Sequence, residues 1–359
     1  MKNSKLIVSL VVLALLVGFG VWADYHVTFS FSHFREQLAR ADWHKIAIGL
    51  GCIYLGYVFR GLRWAMLIRP NKKVGPLSLV GTQVIGFTSV ALVGRVADLA
   101  RPYLVAKKTG LPISTQIAVY IVERLFDAGS MALIFSSVIL FAPAGALPHP
   151  EVFRRVGIWG LAATAAGALF LVAVRLAGGV VAGFFEKTFG MISKGLGHAI
   201  GEKIRDFRTG LNTLRTLGDL AITLGLSLIM WGLITMAYLE TAQAFTASPE
   251  LASMTLAKCM VLLGVSGGAS VFQLPVLGWF TQIGVVAAAL SRFYGVAPEP
   301  AAACAATLLL VTFLGIVPVG LIWAQFEHVS LRKVAAESEH VAEEIAHEHG
   351  EAAAEPSEA

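Results

Sequence analysis

The chain has 359 residues, 56% of them apolar and 14% charged, with a mean hydropathy of +0.72. These values exclude a soluble domain with a large core and predict a polytopic membrane protein. The formal charge of +5 is uneven: nine acids against Arg332 and Lys333 give residues 327–359 a charge of −7, leaving +12 on residues 1–326. A basic membrane body without a soluble basic domain suits anionic lipid headgroups and not nucleic acid.

Lys2 and Lys5 precede an uncharged run from Leu6 to Ala23. Val21-Trp22-Ala23 is a poor cleavage site, so the run reads as an uncleaved first span with a cytoplasmic N-terminus. Residues 24–44 are polar and aromatic and read as an outer surface helix. The second span, Trp43 to Ile68, ends in Arg60, Arg63, Trp64 and Arg69, followed by Lys72 and Lys73. The positive-inside rule puts that end in the cytoplasm. Snorkelling suits Arg69 better than Arg60, which lies deeper in the apolar run.

Pro76 to Lys108 is Gly-rich, basic at both ends and interrupted by Arg95, Asp98 and Arg101. On a helix both arginines fall three residues from Asp98, within reach of an ion pair. Charges at membrane depth face a bundle interior or a wet cavity. A cytoplasmic loop held near the headgroups is the plainer alternative, since Lys107 and Lys108 resemble an interface anchor. A span would carry these lysines outside, so a re-entrant hairpin is the preferred reading; irregular backbone at that depth requires a cavity or a protein surround.

The third span, Ile113 to Phe141, carries Tyr120, Glu123, Arg124 and Asp127 in its first half. Tyr120, Glu123 and Asp127 share a helix face. They read either as charge partners for the hairpin arginines or as a proton- or substrate-handling set. Residues 142–155 read as an outer loop, Val156 to Val174 as the fourth span, and residues 178–216 as a basic amphipathic cytoplasmic linker on anionic lipid. The fifth span runs from Leu217 to Leu239.

A second Gly-rich stretch, Met254 to Gly278, is interrupted at Ser266-Gly267-Gly268 and at Gln273-Leu274-Pro275. Gly264-x-Ser266-x-Gly268 matches a nucleophile elbow in letters but lacks its strand and triad context. Two further spans follow, Phe280–Tyr294 and Ala301–Gln325. The halves repeat one plan, a span, a broken hairpin and following spans, with the second hairpin entering from the opposite side. Paired interrupted segments point to a midplane transport site. The expectation is an all-α fold of about seven or eight spans with two re-entrant broken hairpins in an inverted-repeat-like arrangement. It comprises a transmembrane domain over residues 1–326 and an acidic, partly disordered tail over 327–359. Cys52, Cys259 and Cys304 have no paired spacing, so neither a disulfide nor a zinc site is expected.

Arg60-x-x-Arg63-Trp64, Gly94-Arg95-x-x-Asp98-x-x-Arg101-Pro102 and Glu123-Arg124-x-x-Asp127 occur in an order and spacing that resemble a flippase-like membrane family. That family is represented by the transmembrane region of lysylphosphatidylglycerol synthases and includes hopanoid-associated members. The resemblance spans about Leu6 to Gln325 and places Arg95, Arg101, Glu123, Arg124 and Asp127 at its charged signature. Departures are Val93 for a proline, Ala97 for a glycine and Asp98 for a glutamate. In the second half Gln273-Leu274-Pro275 is recognisable, Val276 and Leu277 replace a Pro-Gly turn, and Gln282 stands where an acid is common. The resemblance implies translocation of a lipid in the bacterial inner membrane. No aminoacyl-transferase domain follows the membrane region, so synthase activity is not implied.

The residues themselves give an independent reason. Arg60, Arg63, Arg95, Arg101 and Arg124 against Asp98, Glu123 and Asp127 leave two positive charges in excess, which favours a phosphate-bearing headgroup. Tyr120, Gln273, Pro275 and Gln282 complete the expected substrate-binding set. No nucleotide-binding motif, cofactor site, metal cluster or convincing nucleophile is legible, so a gradient would drive transport and enzymatic activity is not expected. A non-transporting membrane partner of a lipid- or glycan-modifying enzyme is the alternative.

Overall fold

A computed structural model describes residues 30–143, 147, 150–191, 193–211, 216–269, 277–331, 333–334 and 336–337. Among the described residues every regular element is a helix. The expected first span, Gln273, Pro275 and most of the acidic tail lie outside the described residues.

Helix α1 (Phe31–Arg40) starts where Ser30 accepts from the His33 amide. It packs on the start of a late helix, with the Ser30 amide donating to Glu299 at 3.1 Å. Helix α2 (Trp43–Ile68) is capped by Asp42, which accepts from the His44 and Lys45 amides, and it coincides with the expected second span. Side-chain caps of this kind satisfy first-turn amides that have no intrahelical partner.

Helix α3 (Ser78–Val93) is buried nearly all round, as its uniform apolarity requires. It stops at Gly94, whose φ of 90° is the region that excludes most side chains. A 3-10 turn (Arg95–Leu99) then leads into α4 (Ala100–Thr109), which folds back along α3. Gly110, in the left-handed conformation, ends α4, and Lys72 Nζ donates to the Thr109 carbonyl at 2.5 Å. The two ends of this hairpin therefore touch.

Helix α5 (Ile113–Leu140) matches the expected third span. Helix α6 (Pro150–Gly190) is two helical stretches joined at a kink: Ala177 is non-helical (φ −132°, ψ 38°), between the expected span end at Val174 and the expected linker start at Gly178, and residues 178–190 are themselves helical. Helix α7 (Lys194–Leu211) returns along it, with His198 and Arg205 both on Glu186.

Helix α8 (Leu217–Gln243) opens on a capping box between Thr216 and Asp219. After a short α9 (Pro249–Ala252), α10 (Leu256–Ala269) runs unbroken through Ser266-Gly267-Gly268, where the sequence reading placed an interruption. Helix α11 (Leu277–Tyr294) lies antiparallel to it, with Gln282 Nε2 donating to Ser266 Oγ at 2.7 Å and Tyr294 OH to the Lys258 carbonyl at 3.2 Å. Phe280–Tyr294 thus lies in a helix that packs back along α10. Helix α12 (Pro298–Leu309), a π turn (Leu310–Leu314) and α13 (Ile316–Phe326) complete the bundle.

Among the described residues four helices are long and apolar enough to cross a membrane: Trp43–Ile68, Pro150–Gly190, Gly218–Gln243 and Pro298–Phe326. Helix α5, with 28 residues, is long enough but carries three charges within its middle turns.

The halves meet along α2 and α8, which run antiparallel: Gly49 lies against Ala237 and Thr241, Gly56 near Met230, and Met66 beside Thr223. The hairpins exchange partners reciprocally. Helix α3 packs on α13, where Gly81 meets Trp323 and Gly320 meets Thr88, and α10 packs on α5, where Gly264 meets Phe135. Small residues let helix backbones approach closely where lipid supplies no hydrophobic drive. The bundle also extends beyond residue 326: Lys108 pairs with Glu327 at 2.6 Å, and Val334 is buried beside Ala324 and the first hairpin.

A buried ionic node between four elements

Helices α2, α5 and α8 and the first hairpin converge on one charged node. Arg60, Arg101, Glu123 and Ser227 each stand about eight to ten residues from the helix end on the Lys72–Thr109 side. At 1.5 Å per residue that is roughly 12–15 Å, about half of a bilayer's hydrocarbon thickness.

Arg63 Nη1 donates to Asp127 Oδ1 and to Ser227 Oγ, both at 2.7 Å, and its Nη2 donates to Glu123 Oε1 at 2.6 Å. Arg101 Nη1 donates to both oxygens of Glu123, at 3.1 and 2.9 Å. Arg60 reaches Glu123 and Asp127 at 3.5 Å. Arg124 pairs with Asp127 at 3.1 Å. Four guanidiniums and two carboxylates leave an excess of two positive charges. Each charge is costly to remove from water, and mutual pairing with well-formed hydrogen bonds is what makes such a node tolerable.

Exposure separates the roles. The Arg63, Arg101 and Glu123 side chains are 1% exposed, Arg60 is 12% and Arg124 is 42%. Arg101 is also boxed by aromatic rings, with Phe87, Tyr120 and Trp64 centroids at 4.5, 5.0 and 5.7 Å from its guanidinium carbon. Stacking of this kind is attractive and excludes water. Arg60 lies over Phe87, and Arg124 over Tyr120. Arg101 and Arg63 are sealed inside the node, and Arg124, with Arg60 behind it, is its most exposed cation.

The structure thus brings Arg60, Arg63, Arg101, Tyr120, Glu123, Arg124 and Asp127 together. Asp98 is half-buried on the 3-10 turn, within electrostatic reach of Tyr120 and Arg124. Arg101 turns to Glu123 and not to Asp98, because the backbone there is not the regular helix that three-residue spacing assumed. The Arg95 side chain is outside the described part. Gln282 is not in this node; it bonds Ser266 in the other half.

The sequence reading missed Gln83, which faces Arg101 at 3.5 Å, Gln116, which accepts from Trp64 Nε1 at 2.9 Å, and Ser227. Each is a polar residue on an apolar helix, a signal present in the sequence but not weighed. The Arg63 Nε, Arg101 Nε, Gln83 Nε2 and Gln116 Nε2 atoms are buried without a hydrogen-bond partner, so the node has unused donor capacity.

The family model for the lysylphosphatidylglycerol synthase TM region matches residues 6–320. The chain belongs to that family. No curated protein and no solved structure matches it. In this family member Arg101, Glu123, Arg124 and Asp127 of the charged signature form an ion-pair network in which Arg124 alone is substantially exposed. Among the described residues no group of three or more His, Cys, Asp or Glu is placed to hold a metal ion.

Proposed function

We infer that this protein is a lipid translocase that carries an anionic, phosphate-bearing lipid across the inner membrane without nucleotide hydrolysis. One observation carries the reading: a midplane node with two excess positive charges buries its other arginines and presents Arg124 partly exposed. A phosphate is the complementary partner, because a guanidinium holds it through paired donors that an ammonium lacks. The first hairpin is re-entrant in this reading. Its touching ends, with Arg69, Lys72, Lys73, Lys107 and Lys108, face the cytoplasm, as does the N-terminus. A cleft of about 260 Å³ at that end, lined by Leu62, Ala65, Met66, Arg69 and Lys73, offers an apolar floor under two cations where a lipid would arrive. The second hairpin enters from the outer side.

The test is purified protein in phosphatidylcholine vesicles with a trace of NBD-labelled phosphatidylglycerol. Translocation exposes the inner-leaflet label to external dithionite, so protection falls below one half. Arg124→Gln should slow this at least tenfold in a protein that still melts cooperatively. Vesicles in which the protected fraction equals that of protein-free controls, with and without an imposed proton gradient, would identify a membrane partner and not a transporter.

A further inference from the structure

The second half carries a polar node in the place of the ionic one. Arg63 stands 20 residues after Trp43 at the start of α2, and Tyr238 stands 21 after Leu217 at the start of α8. Asp127 stands 14 residues after Ile113, and Thr312 stands 14 after Pro298. Hairpin arms complete both sets, Gln83 and Arg101 in the first and Ser266 and Gln282 in the second. Gln282 Nε2 donates to Ser266 Oγ at 2.7 Å, and the Tyr238 phenol faces both Ser266 and Thr312. Ser266, Gln282 and Tyr238 are at most 9% exposed. Thr312 lies on a π turn, a distortion that recurs at functional sites. The second node therefore sets the Tyr238 and Thr312 hydroxyls at the helix positions of Arg63 and Asp127, and its four side chains carry no charge.

The two nodes are staggered along the bundle. Arg63 is level with Ser227, whereas Tyr238 is level with about Gly49, so along α2 the separation is roughly 15–20 Å at 1.5 Å per residue. A buried polar atom stands between them. Ser130, on the Glu123–Asp127 face of α5, is 0% exposed, and its hydroxyl has no partner. Its neighbour Met131 lies 3.8 Å from where a Gly267 Cβ would stand, beside Ser266. Asp127 and Ser130 thus lie on one face of α5, the helix that packs on α10 where Ser266 stands.

We propose that Tyr238, Ser266, Gln282 and Thr312 form a second headgroup station, which takes the uncharged, hydroxyl-bearing part of a polyol phospholipid headgroup. This inference rests on the translocase reading. Hydroxyls and an amide both donate and accept, as polyol hydroxyls do, and each bond formed here replaces one lost to water. With no cation, this station does not trap the phosphate, and passage requires binding weak enough to leave. The ionic node holds the phosphate, and the neutral node reads what is attached to it.

The test uses two lipids of equal charge in the vesicle assay: phosphatidylglycerol, which has headgroup hydroxyls, and phosphatidylmethanol, which has none. Wild type should move phosphatidylglycerol at least fivefold faster. Ser266→Ala combined with Gln282→Leu should abolish that preference and leave the phosphatidylmethanol rate within twofold of wild type. If that variant does not fold, Tyr238→Phe with Thr312→Val carries the same expectation. Both rates falling together would show that the node is only structural and overturn the proposal. A wild type that moves both lipids equally would refute this station and leave the translocase reading intact. A wild type that moves neither would refute the translocase reading itself, and the station with it.

Discussion

Gly86 lies directly against the side chain of Arg101, so closely that a Cβ at position 86 would overlap Arg101 Cγ and press on its Cα and Cβ. The glycine is what lets the second hairpin arm lie near enough for the guanidinium to reach Glu123. Gly86→Ala should therefore act as overpacking at a buried charge, costing about 1–3 kcal/mol. Thermal unfolding in detergent checks this. A wild-type melting temperature for Gly86→Ala would show that the hairpin arms are free to move apart.

Removing one member of the Arg101–Glu123 pair leaves the other buried and uncompensated, at about 3–5 kcal/mol. Arg101→Gln and Glu123→Gln should each destabilise on that scale. The double variant should recover only part of it, because Glu123 also accepts from Arg63 at 2.6 Å. A double-mutant cycle on melting curves measures the coupling, and strictly additive losses would argue that the pair is not linked.

Arg124 differs, being the partly exposed member of the same node. Exposed ion pairs contribute about 0–1 kcal/mol, so Arg124→Gln should leave stability nearly unchanged. Its effect should appear in lipid handling alone. The contrast between a stability phenotype at Arg101 and a transport phenotype at Arg124 separates anchor from contact, and the same proteins serve both measurements.

The Lys72–Thr109 contact predicts that both ends of the first hairpin face one compartment. Single cysteines at Lys73 and Gly110 should react with a membrane-impermeant maleimide from the same side. The native background is low, since Cys259 and Cys304 are buried and Cys52 is only partly accessible. Labelling of the two positions from opposite sides would show that the hairpin crosses the bilayer.

Val334 is 3% exposed and packs beside Ala324, Ala97 and Ala100. A deletion starting at 338 should leave the melting temperature unchanged. A deletion starting at 330 should cost the burial of that side chain, about 1.5–3 kcal/mol. Equal stability of the two truncations would place the end of the packed body before Val334.

Much of this was legible in the residues alone. Continuous apolar runs can only be buried or in lipid, so the class followed from composition, and α2 and α5 begin at Trp43 and Ile113, where the second and third spans were expected. Helical spacing likewise put Tyr120, Glu123 and Asp127 on one face, since that periodicity is local. Which charges meet was not local. Arg63 and Glu123 are 60 residues apart in the chain, and only the packing of α2, α5, α8 and the first hairpin decides that Arg63 and Arg101 are sealed while Arg124 is open. The packing of Phe280–Tyr294 back along α10 was not legible for a related reason: an apolar helix reads alike whatever it packs against. Of the neutral cluster only Gln282 stood in the expected set, because the Tyr238, Ser266 and Thr312 hydroxyls give no charge signal and packing alone brings Ser266 to Gln282.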